Sequence, residues 1–193
     1  MNLSRLSERS LLALFRVFNR FMVLVWRLGL GAWGNGTRYG GFVMVIGHIG
    51  RRTGLIHRTP VNYAPLGGDV YCVAGLGRRA DWYRNIMHIP FVEVWLPDGR
   101  WAGVAEDVTE TGKSASIFRR VIIARGFAAP LFGVNPKHAS DEQLEALLAK
   151  YRLVRIRLVA ATVGRGGPGD LAAAWPLCTF AALLLLLASV LTR

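Results

Sequence analysis

The sequence predicts an α+β, mainly β fold: an antiparallel β-barrel with flanking helices, an amphipathic helix at the N-terminus and a transmembrane helix at the C-terminus. Three observations lead there. Short β-type runs separated by turn signals recur between residues 38 and 160, with brief helical stretches among them. Pro97-Asp98-Gly99 joins two of these runs as a hairpin. The apolar excess of the chain, 52% hydrophobic overall, lies mostly outside this region, in residues 1–30 and 171–193.

The chain has 193 residues, enough for one domain with a real core and short extensions. Residues 1–30 read as a helix: at about 100° per residue, Arg5, Arg9, Arg16, Arg20 and Arg27 fall within an arc of roughly 60°. Leu3, Leu11, Leu14, Phe18, Phe21, Met22 and Val25 lie opposite, the pattern of a helix in a membrane interface. The glycines at 29, 31, 34 and 36 end it.

Next come β-type runs at Phe42–Ile46, Thr59–Tyr63, Asp69–Ala74, Phe91–Leu96 and Trp101–Val108. A last run alternates, with Val154, Ile156 and Leu158 on one face and Arg155 and Arg157 on the other. Helical pieces are expected near 81–88, 113–125 and 140–150, the last opened by Ser140 with Gln143 at capping-box spacing. Such a pattern makes a barrel with helices packed outside it.

Leu171–Leu191 carries no charge over 21 residues, long enough for a bilayer span, the alternative being a helix buried in a dimer interface, which Pro176 and the Ala-rich start favour. Arg152, Arg155, Arg157 and Arg165 precede it and only Arg193 follows, which places the domain on the cytoplasmic face. The expected organisation is therefore 1–37 amphipathic helix and Gly-rich linker, 38–160 barrel, 161–170 linker and 171–193 transmembrane tail, with membrane lipids as partners.

The formal net charge of +12, from 24 basic against 12 acidic residues, calls for an anionic partner. Nucleic acid would need basic residues interleaved with aromatics along one face. Here the arginine pairs gather in two loops, so no nucleic-acid role is expected. Cys72 and Cys178 form no framework, and His48, His57, His88 and His138 have no ligand spacing, so no metal site is expected.

The first loop is Gly50-Arg51-Arg52-Thr53-Gly54, continuing to Arg58-Thr59-Pro60. Amides freed by glycine, forked guanidiniums and hydroxyls suit a phosphate or carboxylate; a solvated basic turn is the plainer alternative. The second loop, Gly75-Leu76-Gly77-Arg78-Arg79, runs into a helix at Asp81-Trp82-Tyr83-Arg84-Asn85. Helix N-termini attract anions, and Asp81 reads most simply as the N-cap. Trp82 lies in the first turn and Asn85 one turn on.

With these two motifs in this order, the chain resembles the deazaflavin-dependent nitroreductase family over roughly residues 40–110, with the last strand also in place. That family carries a GRxSGxxRxTP-like loop, a WxxN-type motif and a valine-rich strand, matched here by 50–60, 82–85 and 91–94. The resemblance implies a split β-barrel and coenzyme F420, a deazaflavin with a phosphate and an oligoglutamate tail. It implies that Arg51, Arg52, Thr53 and Arg58, helped by Arg78 and Arg79, hold the phosphate or tail. Pro60, Trp82 and Asn85 would border the ring.

The implied reaction is hydride transfer from reduced cofactor to a quinone or nitro compound, and a homodimer is possible. The second loop departs from the family in reading Gly-Leu-Gly-Arg-Arg, and the family's substrate-side tyrosines are not evident after residue 110. Two other readings use the same features: an FMN flavoprotein on the same barrel, and a non-catalytic membrane-attached module for a cofactor or lipid.

Overall fold

The computed structural model describes residues 3–37, 41–124, 138–164 and 166–191, with backbone alone at 3–12 and 190–191. Helix α1 spans Leu3–Arg27. Strands β1 (Val43–Ile49), β2 (Ile56–Leu66) and β3 (Asp69–Ala74) follow, then a 3-10 turn at Gly77–Arg79 and helix α2 (Asp81–His88). Next come β4 (Phe91–Leu96), β5 (Gly99–Asp107), α3 (Ser114–Ile123), α4 (Asp141–Leu148), β6 (Arg152–Ala161) and α5 (Ala174–Leu191).

The six strands close into one antiparallel barrel in the order β1-β2-β3-β6-β5-β4. Pro97-Asp98 turns between Leu96 and Gly99 as the sequence predicts, and Gly67-Gly68 makes the tight turn between β2 and β3. β2 changes partner along its length. Residues 56–62 pair with β1, and only residues 63–66 pair with β3.

Alternation sorts the side chains into layers. Met44, Ile46, Val70, Cys72, Val92, Val94, Val154 and Ile156 fill the barrel, and α2 adds Tyr83 and Ile86 to the same cluster. Tyr71, Val73 and Leu153 face outward and pack under α3 and α4 through Phe118, Ile122, Leu144 and Leu148. As expected, Ser140 and Gln143 form a capping box at the start of α4. Arg155 ties three strands from outside, bonding Asp69 of β3 at 2.6 Å and Glu106 of β5 at 3.0 Å.

The last turn of α1 buries Trp26 against Val45 and Trp95, while Leu14, Phe18 and Phe21 stay exposed. Only the end of the helix, with Val23 beside Trp26, therefore packs on the barrel, and the described apolar residues from Leu14 to Phe21 do not. Arg5, Arg9, Leu3 and Leu11 lie where only backbone is described.

The expected transmembrane tail is corrected. Among the described residues no helix is long and apolar enough to cross a membrane. Residues 171–173 of the uncharged run are drawn into turns against α1: Gly169 donates to the Trp26 carbonyl at 2.9 Å and Leu171 to that of Arg27 at 2.8 Å. Arg27 also grips Asp170 at 2.8 Å. What remains is the 18-residue α5, about 27 Å long against a hydrocarbon core of about 30 Å. α1 is longer but interrupted by Arg16, Arg20 and Arg27. The membrane localisation and cytoplasmic-face orientation fall with the span; Arg165 and Arg193, which entered that argument, lie outside the described residues.

Gly77 is fixed by packing. Its φ is +54°, and a Cβ there would sit 2.5 Å from the Lys150 carbonyl oxygen. Gly77→Ala should therefore destabilise the fold by about 1–3 kcal/mol, seen as a lower urea midpoint with an unchanged slope.

Candidate functional site

The first glycine-arginine loop sits between β1 and β2. Gly50 donates to the Leu55 carbonyl and Gly54 donates to the Gly50 carbonyl, both at 2.8 Å, and Gly54 takes φ +66°. Thr53 and His57 fill the space a side chain at residue 50 would need, with Thr53 Oγ1 2.5 Å from an ideal Cβ. Glycine at 50 lets the Thr53 and His57 side chains lie against the backbone there, and the loop folds tightly on itself.

This loop is latched to α2. Arg51 donates to Asn85 Oδ1 from its backbone N–H at 3.2 Å and from Nη1 at 2.9 Å. Its Nη2 reaches Asp81 Oδ1 at 3.0 Å. Asp81 and Asn85 are one turn apart on α2, so one face of the helix holds the guanidinium. The expected N-cap role of Asp81 is corrected: Ala80 is the N-cap, makes no side-chain cap hydrogen bond, and Asp81 is the first helical residue.

Behind Asn85 lies His48, an interior residue of β1 that is 4% exposed. Its Nδ1 is 3.1 Å from Asn85 Nδ2 and its Nε2 is 3.1 Å from Thr59 Oγ1. The ring stacks on His57 at 5.8 Å. Burial, helped by the neighbouring His57, pushes the imidazole down to about 4. Sequence reasoning missed His48, because a lone histidine in an apolar run gives no signal of its partners.

A second, part-buried linkage joins α2 to the end of β5. Tyr83 donates to Asp107 at 2.5 Å, and Thr109 donates to the same carboxylate. Burial and the Asp107 bond push the Tyr83 phenol up to about 12. Burial favours the protonated Asp107 carboxyl, but the bonds from Thr109 and Tyr83 outweigh it and hold the group below its ordinary value.

The two predicted loops are brought together only in part. Arg51, Thr59, Asp81 and Asn85 belong to one network. Trp82 is half-buried against the barrel core. Gly77 has the packing reason given above, and Gly75 is exposed just before it. Arg52, Arg78 and Arg79 are exposed and form no ion pair among the described residues.

Arg58 and Pro60 point to the outer face instead. Arg58 lies 5.2 Å over the Trp95 ring and donates to the Gly166 carbonyl at 3.1 Å. Pro60 is opposite Val45, which packs under Trp26. A cavity of about 250 Å³ adjoins His48, with Ile49, Ile56, Phe91, Ala102 and Thr162 in its walls. The Thr162 hydroxyl is buried without a hydrogen-bond partner among the described residues.

The fold and site define a closed antiparallel barrel whose arginine-glycine loop is latched beside the start of α2. The family described as F420H(2)-dependent quinone reductase matches residues 23–126, and the chain belongs to it. It is accordingly an enzyme, a reductase that uses coenzyme F420.

Among solved structures, the chain is similar to one described as an F420 reductase, at 16% identity and TM-score 0.44, covering 65% of this chain and 91% of that one. It is also similar to an F420-H2 dependent reductase at 15% identity and TM-score 0.45, covering 59% and 92%. A putative 5-nitroimidazole antibiotic resistance protein from Bacteroides thetaiotaomicron aligns at 9% identity and TM-score 0.47, covering 62% and 74%. Likenesses this distant carry no functional weight. No protein of curated function matches the sequence.

The neutral imidazole makes stability depend on pH. The ordinary value of 6.5 is that of the unfolded chain, and the folded value is about 4. As pH falls from 6.5 towards 4, the unfolded chain takes up a proton that the folded chain refuses. The contribution is full above pH 6.5 and is lost as pH falls through about 4, at most about 3 kcal/mol. Urea midpoints measured across this window should fall, and should fall less in His48→Asn.

Proposed function

We propose that this reductase transfers a hydride from reduced F420 to a quinone, and that the cofactor's anionic part is held at the Gly50–Gly54 loop and the start of α2. The observation that carries this reading is the division of labour among the arginines. Arg51 is committed to Asp81 and Asn85 and stiffens the loop. Arg52, Arg78 and Arg79 keep their guanidiniums in water without a carboxylate partner among the described residues. Three such donors beside an uncapped helix start fit a phosphate followed by an oligoglutamate tail.

When bound, F420 supplies the hydride, and the quinone takes it up with one proton to become the quinol. The chain's own residues bind, orient and exclude water. Gly50, Thr53 and Gly54 shape the loop, and in the second loop, where Gly75 lies exposed, Gly77 lets the backbone pass under the Lys150 carbonyl just before α2. Trp82 places its half-buried ring at the same barrel end, while Thr59 and Asn85 commit their hydroxyl and amide to His48 and Arg51 behind the loop. Arg58 and Pro60 would reach the cofactor only from the outer face, and Arg58 would first have to release Gly166. The cavity beside His48 offers an apolar acceptor ring a seat between Ile49, Ile56 and Phe91.

Anaerobic mixing of reduced F420 with the protein and a soluble naphthoquinone should restore the fluorescence of the oxidised cofactor. A nitroaromatic in a parallel reaction tests the other acceptor class. Binding without turnover on either acceptor would favour a non-catalytic module. Arg52→Ala and Arg78→Ala should each weaken F420 binding by about three- to tenfold, less at high salt and less for a shortened tail. Ile56→Asp should raise the KM for the quinone while leaving the Kd for F420 unchanged, because residue 56 is exposed at the cavity mouth.

A further inference from the structure

The hydrogen bonds around Asn85 fix more than they first show. An amide oxygen only accepts and an amide nitrogen only donates. Asn85 Oδ1 is taken by two N–H donors, both from Arg51, so Nδ2 must point the other way, at His48 Nδ1. Nδ1 must then carry a lone pair, and the single proton of a neutral ring sits on Nε2, which donates to Thr59 Oγ1 at 3.1 Å.

The order can be read in reverse. A proton on Nδ1, in the other tautomer or in the imidazolium, would set N–H against the N–H of Asn85. Rotating the amide to avoid this would turn its NH2 group onto the two Arg51 donors. Only one arrangement satisfies every member of the chain, and the ring's burial makes the alternatives costly. The charged or titratable groups facing the ring are His57 from β2 and, through Asn85, Arg51 of the loop with Asp81 of α2.

We propose that His48 is a positioning residue for the cofactor loop: its Nε2–H tautomer sets the Asn85 amide, which in turn sets Arg51. The inference rests on the reading that this loop holds the anionic part of F420. His48 never touches the cofactor in this scheme. It removes the freedom of Asn85 to flip, so the loop is ordered before the anion arrives, and the binding energy is not spent on ordering it.

The test uses the full chain. Nitrogen-resolved imidazole NMR of the cofactor-free protein should show His48 neutral and protonated at Nε2 near neutral pH. His48→Asn keeps an acceptor near the Nδ1 position and should bind oxidised F420 within about threefold of the parent. His48→Gln keeps a group near Nε2 but no acceptor at Nδ1, and should bind about tenfold more weakly, one hydrogen bond's worth. A general loss of packing would instead weaken both variants in step with their urea midpoints.

A proton on Nδ1 in the parent overturns the proposal whether or not either variant folds. So does a folded His48→Gln that binds like the parent. A parent that fails to bind F420 at all, with the Nε2–H tautomer present, overturns the placement of the cofactor and leaves the amide lock itself standing.

Discussion

The change of partner along β2 is the constraint on which the rest of the molecule depends. A closed barrel needs its strands staggered, and the eleven-residue β2 meets this by pairing first with β1 and then with β3. Residues 56–62 consequently have no strand on the side away from β1 among the described residues. Their end of the barrel is closed by α2, with Tyr83 and Ile86 entering the core. A helix brings side chains and a free N-terminus where a strand would bring only a ladder. The basic loops meet there because β1, β2 and β3 all turn or end at that rim.

Electrostatics then decides which polar groups stay dry. His48, Asn85 and Tyr83 are buried, and each has a partner matched to its donor or acceptor character. Arg51 is half-shielded and divides its charge between a carboxylate and an amide. Arg52, Arg78 and Arg79, on the two loops beside this network, are left in water, a placement suited to an anion arriving from outside. Arg58 shows that a basic loop is not uniform: strand alternation turns it outward, over Trp95 and onto Gly166.

The last turn of α1 and the turns leading into α5 are held to each other as well as to the barrel. Trp26 buries the end of α1 against Val45 and Trp95, and the turns at 169–172 bond back to the same helical end. That attachment takes the first residues of the uncharged run out of α5, and the helix that follows is too short to span a bilayer. Composition could not reveal this, because 171–173 are as apolar as the residues after them; what removes them is a contact with a residue about 145 positions earlier.

The sequence by itself determined what depends on local chemistry. Alternation set the strands, Gly67-Gly68 and Pro97-Asp98 set the turns, and Ser140 with Gln143 set a helix start. The order of the glycine-arginine loop and the WxxN-type motif was sufficient to recognise a family that the match over residues 23–126 bears out. Only the tertiary structure decided which motif residues share a site. Asp81 reads locally as an N-cap, yet Ala80 caps the helix and Asp81 holds Arg51, thirty positions away. His48 carries no local signal at all; its neutrality and its tautomer follow from a strand, a loop and a helix converging on one buried ring. Periodicity reports which face a residue occupies, whereas a proton's position is set by partners that only folding brings within 3.1 Å.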